Sequence, residues 1–336
     1  MTTLPLLFLG NSYTMNQSLD ATVAEMLSEG TGEAWSGAKL AAGGLTFSSH
    51  VERAQGGHPD WVAALTDKGS QWDWVFLQEQ SQIPGFPEDN AYVLDSVSAA
   101  ETLCDYAADR GGQSVFVMTW GRRDGDPDNQ ARYSDFTTMQ GHLTEGYLRY
   151  VAACTTPERA VWVAPAGLAW QQIHDDILAD GGDPLADDSL FSRLYIADGS
   201  HPSPAGNHLA AAVIYATITG ESPVGLSDSS GMVDDASLAT LQAAAAAVVL
   251  GDSPDIDYPW EDGEDGETGE PEDTGELGDT GDGTTSEDTA LPADAAADDT
   301  GPTHTVGAPT EDGGCRSGRA LALPVLLLGL LGIRRR

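Results

Sequence analysis

Positive charge is scarce in this chain: its 336 residues hold 15 Lys and Arg against 53 Asp and Glu, a formal net charge of −38. Residues 252–314 contain 21 of the acids and no base, yet residues 1–251 still hold 32 acids against ten bases. An excess of that sign repels phosphate backbones and excludes nucleic acid as a partner. Cysteine is also rare, with three residues. Cys104 and Cys154 fall in predicted helices, where they either pair or lie buried, and Cys315 stands apart near the C-terminus. The Cys and His residues lack metal-ligand spacing, so no metal is expected, and no cofactor is called for. The apolar run at 320–333 (ALALPVLLLGLLGI) stops at 14 residues, short of the roughly 20 that span a bilayer. An export signal is missing too: Leu4–Leu9 is too short for one and no basic segment precedes it.

What is present alternates. Leu4–Leu9 is a short apolar run closed by Gly10 and Asn11, which reads as a buried parallel strand and its exit turn. Helical spacing follows, with Leu19, Val23, Met26 and Leu27 on one face. Further strands are expected at 34–42, 73–78, 114–119 and 160–164. Helices are expected over 48–65, 91–110, 130–153, 167–179, 204–219 and 236–250. Strands interleaved with helices of this length imply βαβ units around a parallel sheet, hence one doubly wound α/β domain over 1–251.

Beyond it, residues 252–314 are dominated by Asp, Glu, Gly, Thr and Pro and include EDTGELGDTGDG. Too little apolar surface is available there to offset chain entropy, so the segment reads as a disordered, self-repelling spacer. Its acidic-Gly units lack the spacing of a calcium loop. The final stretch, 315–336, combines Cys315, the apolar run and Arg334–Arg336, a membrane-engaging tail with a positive stop.

Two segments carry chemistry. Ser12 sits where the first strand hands over to a helix, at the carboxyl edge where open α/β sheets bind ligands. Backbone N–H groups unsatisfied at that helix start favour developing negative charge. At the far end of the domain, Asp198-Gly-Ser-His201-Pro-Ser203-Pro204 forms a tight polar segment. Pro202 and Pro204 hold the residues before them extended, and Ser203 is placed to cap the next helix with Pro204 at its first position. An Asp three residues before a His orients the imidazole while the other ring nitrogen takes a serine proton.

Together, Gly-Asn-Ser-Tyr-Thr and Asp-x-x-His-Pro resemble the SGNH (GDSL-like) hydrolases over roughly residues 4–220. The resemblance implies a flavodoxin-like three-layer α/β/α sandwich with about five parallel strands. It also implies a serine esterase or acyl hydrolase acting on small-molecule or carbohydrate esters. Ser12 would be the nucleophile, His201 the base and Asp198 its orienting partner. The N–H groups of Ser12 and Gly44, with Gly43 as the alternative register, and the side-chain amide of Gln80 would form the oxyanion hole. Asn11 replaces the Asp of the strict Gly-Asp-Ser signature, and Gln80 stands where the family has Asn. A surface module of the same fold that binds glycans without catalysis is the alternative.

The C-terminal Gly-Gly-Cys, apolar stretch and Arg cluster resemble bacterial surface-sorting tails, notably the myxobacterial type. That implies processing by a sorting protease at Gly313, Gly314 and Cys315, membrane engagement and a cell-surface location, with the true start of translation upstream of Met1. A cytoplasmic hydrolase is the reading that the missing signal alone would favour.

Of the other candidates, Arg122 and Arg123 follow the fourth strand and either bind an anionic or sugar substrate or pair with nearby Asp. His50, His58, His142, His174 and His208 are expected in structural or exposed positions.

Overall fold

A computed structural model describes residues 3–251 and 256–261. The expected processing site at Gly313, Gly314 and Cys315, the tail 315–336 and nearly all of the spacer 252–314 lie outside the described residues.

Five strands form one parallel sheet in the order β2-β1-β3-β4-β5. They are β1 (Leu4–Gly10), β2 (Trp35–Ala41), β3 (Trp74–Leu77), β4 (Gln113–Val117) and β5 (Val161–Ala164). Leu6–Leu9, Val75–Leu77 and Val115–Val117 are completely buried. That is why these runs are apolar without alternation: a parallel strand in the middle of such a sheet has helices on both faces. The β2 edge is half-buried along its length and carries the more mixed sequence WSGAKLA.

The helices are α1 (Ser12–Met15), α2 (Leu19–Thr31), α3 (Phe47–Gln55), α4 (Pro59–Trp61), α5 (Ala91–Asp109), α6 (Phe136–Cys154), α7 (Ala166–Ala179), α8 (Leu190–Arg193), α9 (Pro204–Thr219) and α10 (Asp235–Leu250). Helices α2, α9, α7 and α10 pack together as one layer, and α3, α5 and α6 as the other. The architecture is therefore the three-layer α/β/α sandwich with the flavodoxin strand order. Strand order reverses between β1 and β3, and the crevice outside their carboxyl ends is the ligand position of such sheets.

Two helices differ from the expected spans. The helix expected over 48–65 stops at Gln55, because Gly56-Gly57-His58-Pro59 interrupts it. Gly57 takes a left-handed φ of +81°, and the chain restarts as the short turn α4 and a π turn at Val62–Thr66. The helix expected from 130 begins at Phe136, where the Asp135 side chain accepts from Thr138 N at 2.7 Å and caps it. The residues before it wrap around the buried carboxylate of Asp126, whose oxygens accept from Arg122, Asp128 N and Asn129.

The packed region also extends past residue 251. Ile256 and Tyr258 are buried in the core, and Trp260 stacks on Tyr258 at 5.3 Å. Three large apolar side chains at alternate positions anchor a strip that is acidic on average. Cys104 and Cys154 are buried and free.

Candidate active site

The β1 exit is shaped by a glycine with no room for a side chain. A Cβ at Gly10 would meet Thr14 Oγ1 at 2.2 Å and Gln78 Oε1 at 2.8 Å. This close approach lets Gln78 Oε1 accept from Asn11 N at 3.1 Å and from the Thr14 hydroxyl at 2.9 Å. Asn11 then caps α1, its Oδ1 accepting from Tyr13 N at 3.0 Å. Its Nδ2 donates to Leu45 O at 3.2 Å and Glu79 O at 3.3 Å. One buried carboxamide thus joins the exits of β1, β2 and β3. Asp would supply no donor to those two carbonyls, which is the physical reason for Asn at this position.

Ser12 follows at the first residue of α1, with Oγ 2.8 Å from His201 Nε2. His201 Nδ1 lies 2.6 Å from Asp198 Oδ2. A carboxylate at Nδ1 fixes the proton there, so Nε2 accepts from the Ser12 hydroxyl. Asp198 Oδ1 accepts from Ser200 N and His201 N, each at 2.9 Å, in a turn that Gly199 closes with φ +66°. Burial raises the Asp198 pKa, but these two N–H groups and the imidazole outweigh it and hold the carboxyl below its ordinary value. The loop is pinned from below: Tyr13 OH and Ser200 Oγ are 2.6 Å apart, and Trp120 Nε1 donates to Ser200 O at 3.0 Å. Tyr13, Trp120 and Trp170 stack in sequence with nearly parallel rings, and Tyr13 meets His201 edge-on at 5.2 Å. At its end Ser203 caps α9, accepting from Gly206 N at 3.3 Å with Pro204 at the first position.

Gly44 lies on the next loop, after β2, at φ +71° with open space where a side chain would stand. Gly43 beside it is equally unobstructed but has no left-handed φ. The third loop differs from the expectation. Gln80 Nε2 donates to Gln82 Oε1 at 2.9 Å, and Gln80 Oε1 accepts from the N–H groups of Gln82 and Ile83. The carboxamide closes its own turn, which occupies its oxygen and one of its two N–H groups.

The structure therefore brings Ser12, His201 and Asp198 into one hydrogen-bonded row, with the Gly44 loop tied to it through Asn11 and Leu45. Arg122 pairs with Asp126 and Arg123 with Asp124, both at 2.7 Å. His50 is buried, its Nε2 donating to Gly10 O at 3.1 Å and its Nδ1 accepting from Trp61 Nε1 at 2.9 Å. Burial pushes its pKa down to about 4. His58 packs edge-on against Trp61, His142 lies 3.7 Å from Glu145, His174 pairs with Asp175, and His208 is buried beneath Asp228. Among the described residues no group of three or more His, Cys, Asp or Glu could hold a metal ion, and no helix is long and apolar enough to cross a membrane.

Tyr13, Gln78 and Glu79 take part in this site without a role assigned to them from the sequence, and Asn11 figures there as a departure from the Gly-Asp-Ser signature. The available signal was polarity: Gln78 and Glu79 follow a wholly apolar strand directly, and both are buried.

No family model matches the chain, and no curated protein matches it. Its fold is similar to that of a DUF4886 family protein from Bacteroides uniformis, at 18% identity and a TM-score of 0.57, over 77% of this chain and 99% of that one. A putative SGNH hydrolase from Slackia heliotrinireducens aligns at 24% identity and a TM-score of 0.46, over 64% of this chain and 98% of that one. An acetylxylan esterase from Geobacillus stearothermophilus, in a catalytic mutant form, aligns at 15% identity and a TM-score of 0.43, over 63% and 92%.

Proposed function

We propose that this protein is a serine hydrolase that cleaves ester bonds, in small molecules or acylated carbohydrates, through Ser12, His201 and Asp198. The observation that carries the reading is the continuous row from Ser12 Oγ through the imidazole to Asp198, with spacings of 2.8 and 2.6 Å. In that row His201 Nε2 takes the hydroxyl proton as Ser12 Oγ attacks the ester carbonyl. Asp198 stabilises the imidazolium and keeps its tautomer. The tetrahedral oxyanion accepts from the N–H groups of Ser12 and Gly44. His201 returns the proton to the departing alcohol, and water repeats the sequence on the acyl-enzyme to release the acid and free the serine. The same proposal places the hydrolase at the cell surface on the acidic segment 252–314, a part supported by the sequence of the tail alone.

The test is intact mass of the full-length protein after a fluorophosphonate, which forms a serine O–P bond with loss of fluoride. One adduct is expected on the wild type and none on Ser12→Ala, and His201→Ala should react about 10⁴- to 10⁶-fold more slowly. An adduct retained in Ser12→Ala, or none on the folded wild type, would overturn the reading. The second result would leave a non-catalytic glycan-binding module on the same fold.

A further inference from the structure

Glu79 is a completely buried carboxylate at the β3 exit, and it takes no part in the proton path described above. Its oxygens collect donors from three directions. Oε1 accepts from Gln80 N at 2.6 Å, and both oxygens stand 3.1 Å from Phe47 N. Oε2 also accepts from the Ser96 hydroxyl, which in turn lies 2.8 Å from Tyr150 OH. Phe47 opens α3, three residues after Gly44, and Gln80 belongs to the loop after β3. The main-chain oxygen of Glu79 accepts from Asn11 Nδ2, the group that also holds Leu45 O. Two links therefore run between the Gly44 loop and this residue, one through its side chain and one through its backbone.

We propose that Glu79 is a positioning residue, its ionised carboxylate holding the Gly44 loop against the β3 exit so that the Gly44 N–H stays aimed at the reacting oxygen. This inference rests on the serine-hydrolase reading. The chemistry of the donors explains why a carboxylate is needed. Two N–H groups and an O–H converge on the side chain, and only an ionised carboxyl accepts from all of them without presenting a hydrogen of its own. Such charge-assisted bonds are roughly twice as strong as neutral ones. A proton on Glu79 is accommodated by turning the Ser96 hydroxyl toward Tyr150, which leaves Phe47 and Gln80 on a weaker, neutral acceptor.

The groups facing Glu79 leave its charge uncompensated. They are Ser96 on α5, Tyr147 and Tyr150 on α6, and the N–H groups of Phe47 and Gln80, while Asn11 and Gln78 donate to the Glu79 main-chain oxygen. Among the described residues no Lys or Arg forms an ion pair with it. Burial outweighs the three kinds of donor and pushes its pKa up to about 7. The loop is thus held tightly above neutrality and loosely below it.

The experiment compares full-length wild type, Glu79→Gln and Ser96→Ala in fluorophosphonate labelling and aryl-ester hydrolysis from pH 5 to 9. In parallel, the Glu79 carboxyl and the Gly44, Phe47 and Gln80 amides are followed by NMR. Glu79→Gln should lower kcat by about ten- to a hundredfold with KM changed less than about threefold, because a misplaced N–H weakens the transition state selectively. Its pH profile should lose a component near 7. Ser96→Ala removes a donor that favours the ionised form, so its component should move to higher pH rather than vanish. In the wild type the Gly44 amide should titrate with the Glu79 carboxyl.

A reactive wild type matched by Glu79→Gln in rate and profile would overturn the inference and leave the hydrolase reading standing. An unreactive wild type would overturn the hydrolase reading, and the clamp would then stand or fall on the Gly44 amide. If that resonance ignores the Glu79 titration, no coupling exists. Should Glu79→Gln fail to fold, the direction of the Ser96→Ala shift decides the matter.

Discussion

Glu79 and His50 are both buried at the base of the crevice, and their linkages to pH oppose each other. Glu79 has its pKa raised from 4.5 to about 7, so between those values the folded protein binds a proton that the unfolded chain has released. Stability from this group is therefore lost as pH rises through that window. His50 is lowered from 6.5 to about 4, so there the unfolded chain holds the extra proton and stability grows with pH. Each shift corresponds to about 3 kcal/mol, and the two nearly cancel between pH 4.5 and 6.5. Glu79→Gln removes the falling member of the pair. Its unfolding free energy, measured in denaturant, should gain about 3 kcal/mol on the wild type between pH 4.5 and 7, and a constant difference would contradict the assigned ionisation. The carboxylate that organises the Gly44 loop thus costs stability in the state proposed to work. None of this is visible in sequence. Ser12, Asp198, His201 and Gly44 stand in short segments that name themselves by local pattern. Glu79 and Asn11 draw their importance from Phe47, Leu45 and Ser96, partners 17 to 34 residues away that only the fold brings near.

The strands were legible because a central parallel strand leaves no polar face: every residue of Leu6–Leu9 is buried, and the run ends where the chain must turn. Helices were legible where apolar spacing and caps agree, as at α9. The failure at 48–65 came from counting apolar positions across Gly56-Gly57-His58-Pro59, where two glycines and a proline outweigh periodicity. Gln80 illustrates the same limit in a loop, since an amide at the right position in sequence is free to bond its own turn. The α9 cap also has a checkable magnitude. Ser203 Oγ accepts from Gly206 N and donates to Arg193 O at 2.6 Å, two residues beyond His201. Ser203→Ala should cost about 1 kcal/mol of stability in denaturant unfolding. A change below a few tenths would mean that Pro204 and packing set the helix start unaided.

Ile256, Tyr258 and Trp260 fasten the residues after α10 onto the domain. Tyr258 is almost fully enclosed, and the Trp260 ring packs over Gly220, where a Cβ would meet it at 2.8 Å. A chain ending at residue 251 should be less stable than one ending at 261 by about 3 kcal/mol, or roughly 6–12 °C in Tm, by calorimetry. Equal melting temperatures would make this strip an ornament. The sheet order has a larger consequence. Ser12 opens the turn that leaves the first strand, and His201 is 189 residues later, on the loop that enters α9. At 5–20 residues per second a ribosome needs about 10–40 s to add that interval. On the hydrolase reading proposed above, a nascent protein shorter than 201 residues carries the serine without its base, so a copy truncated before that point should leave the esters around it intact.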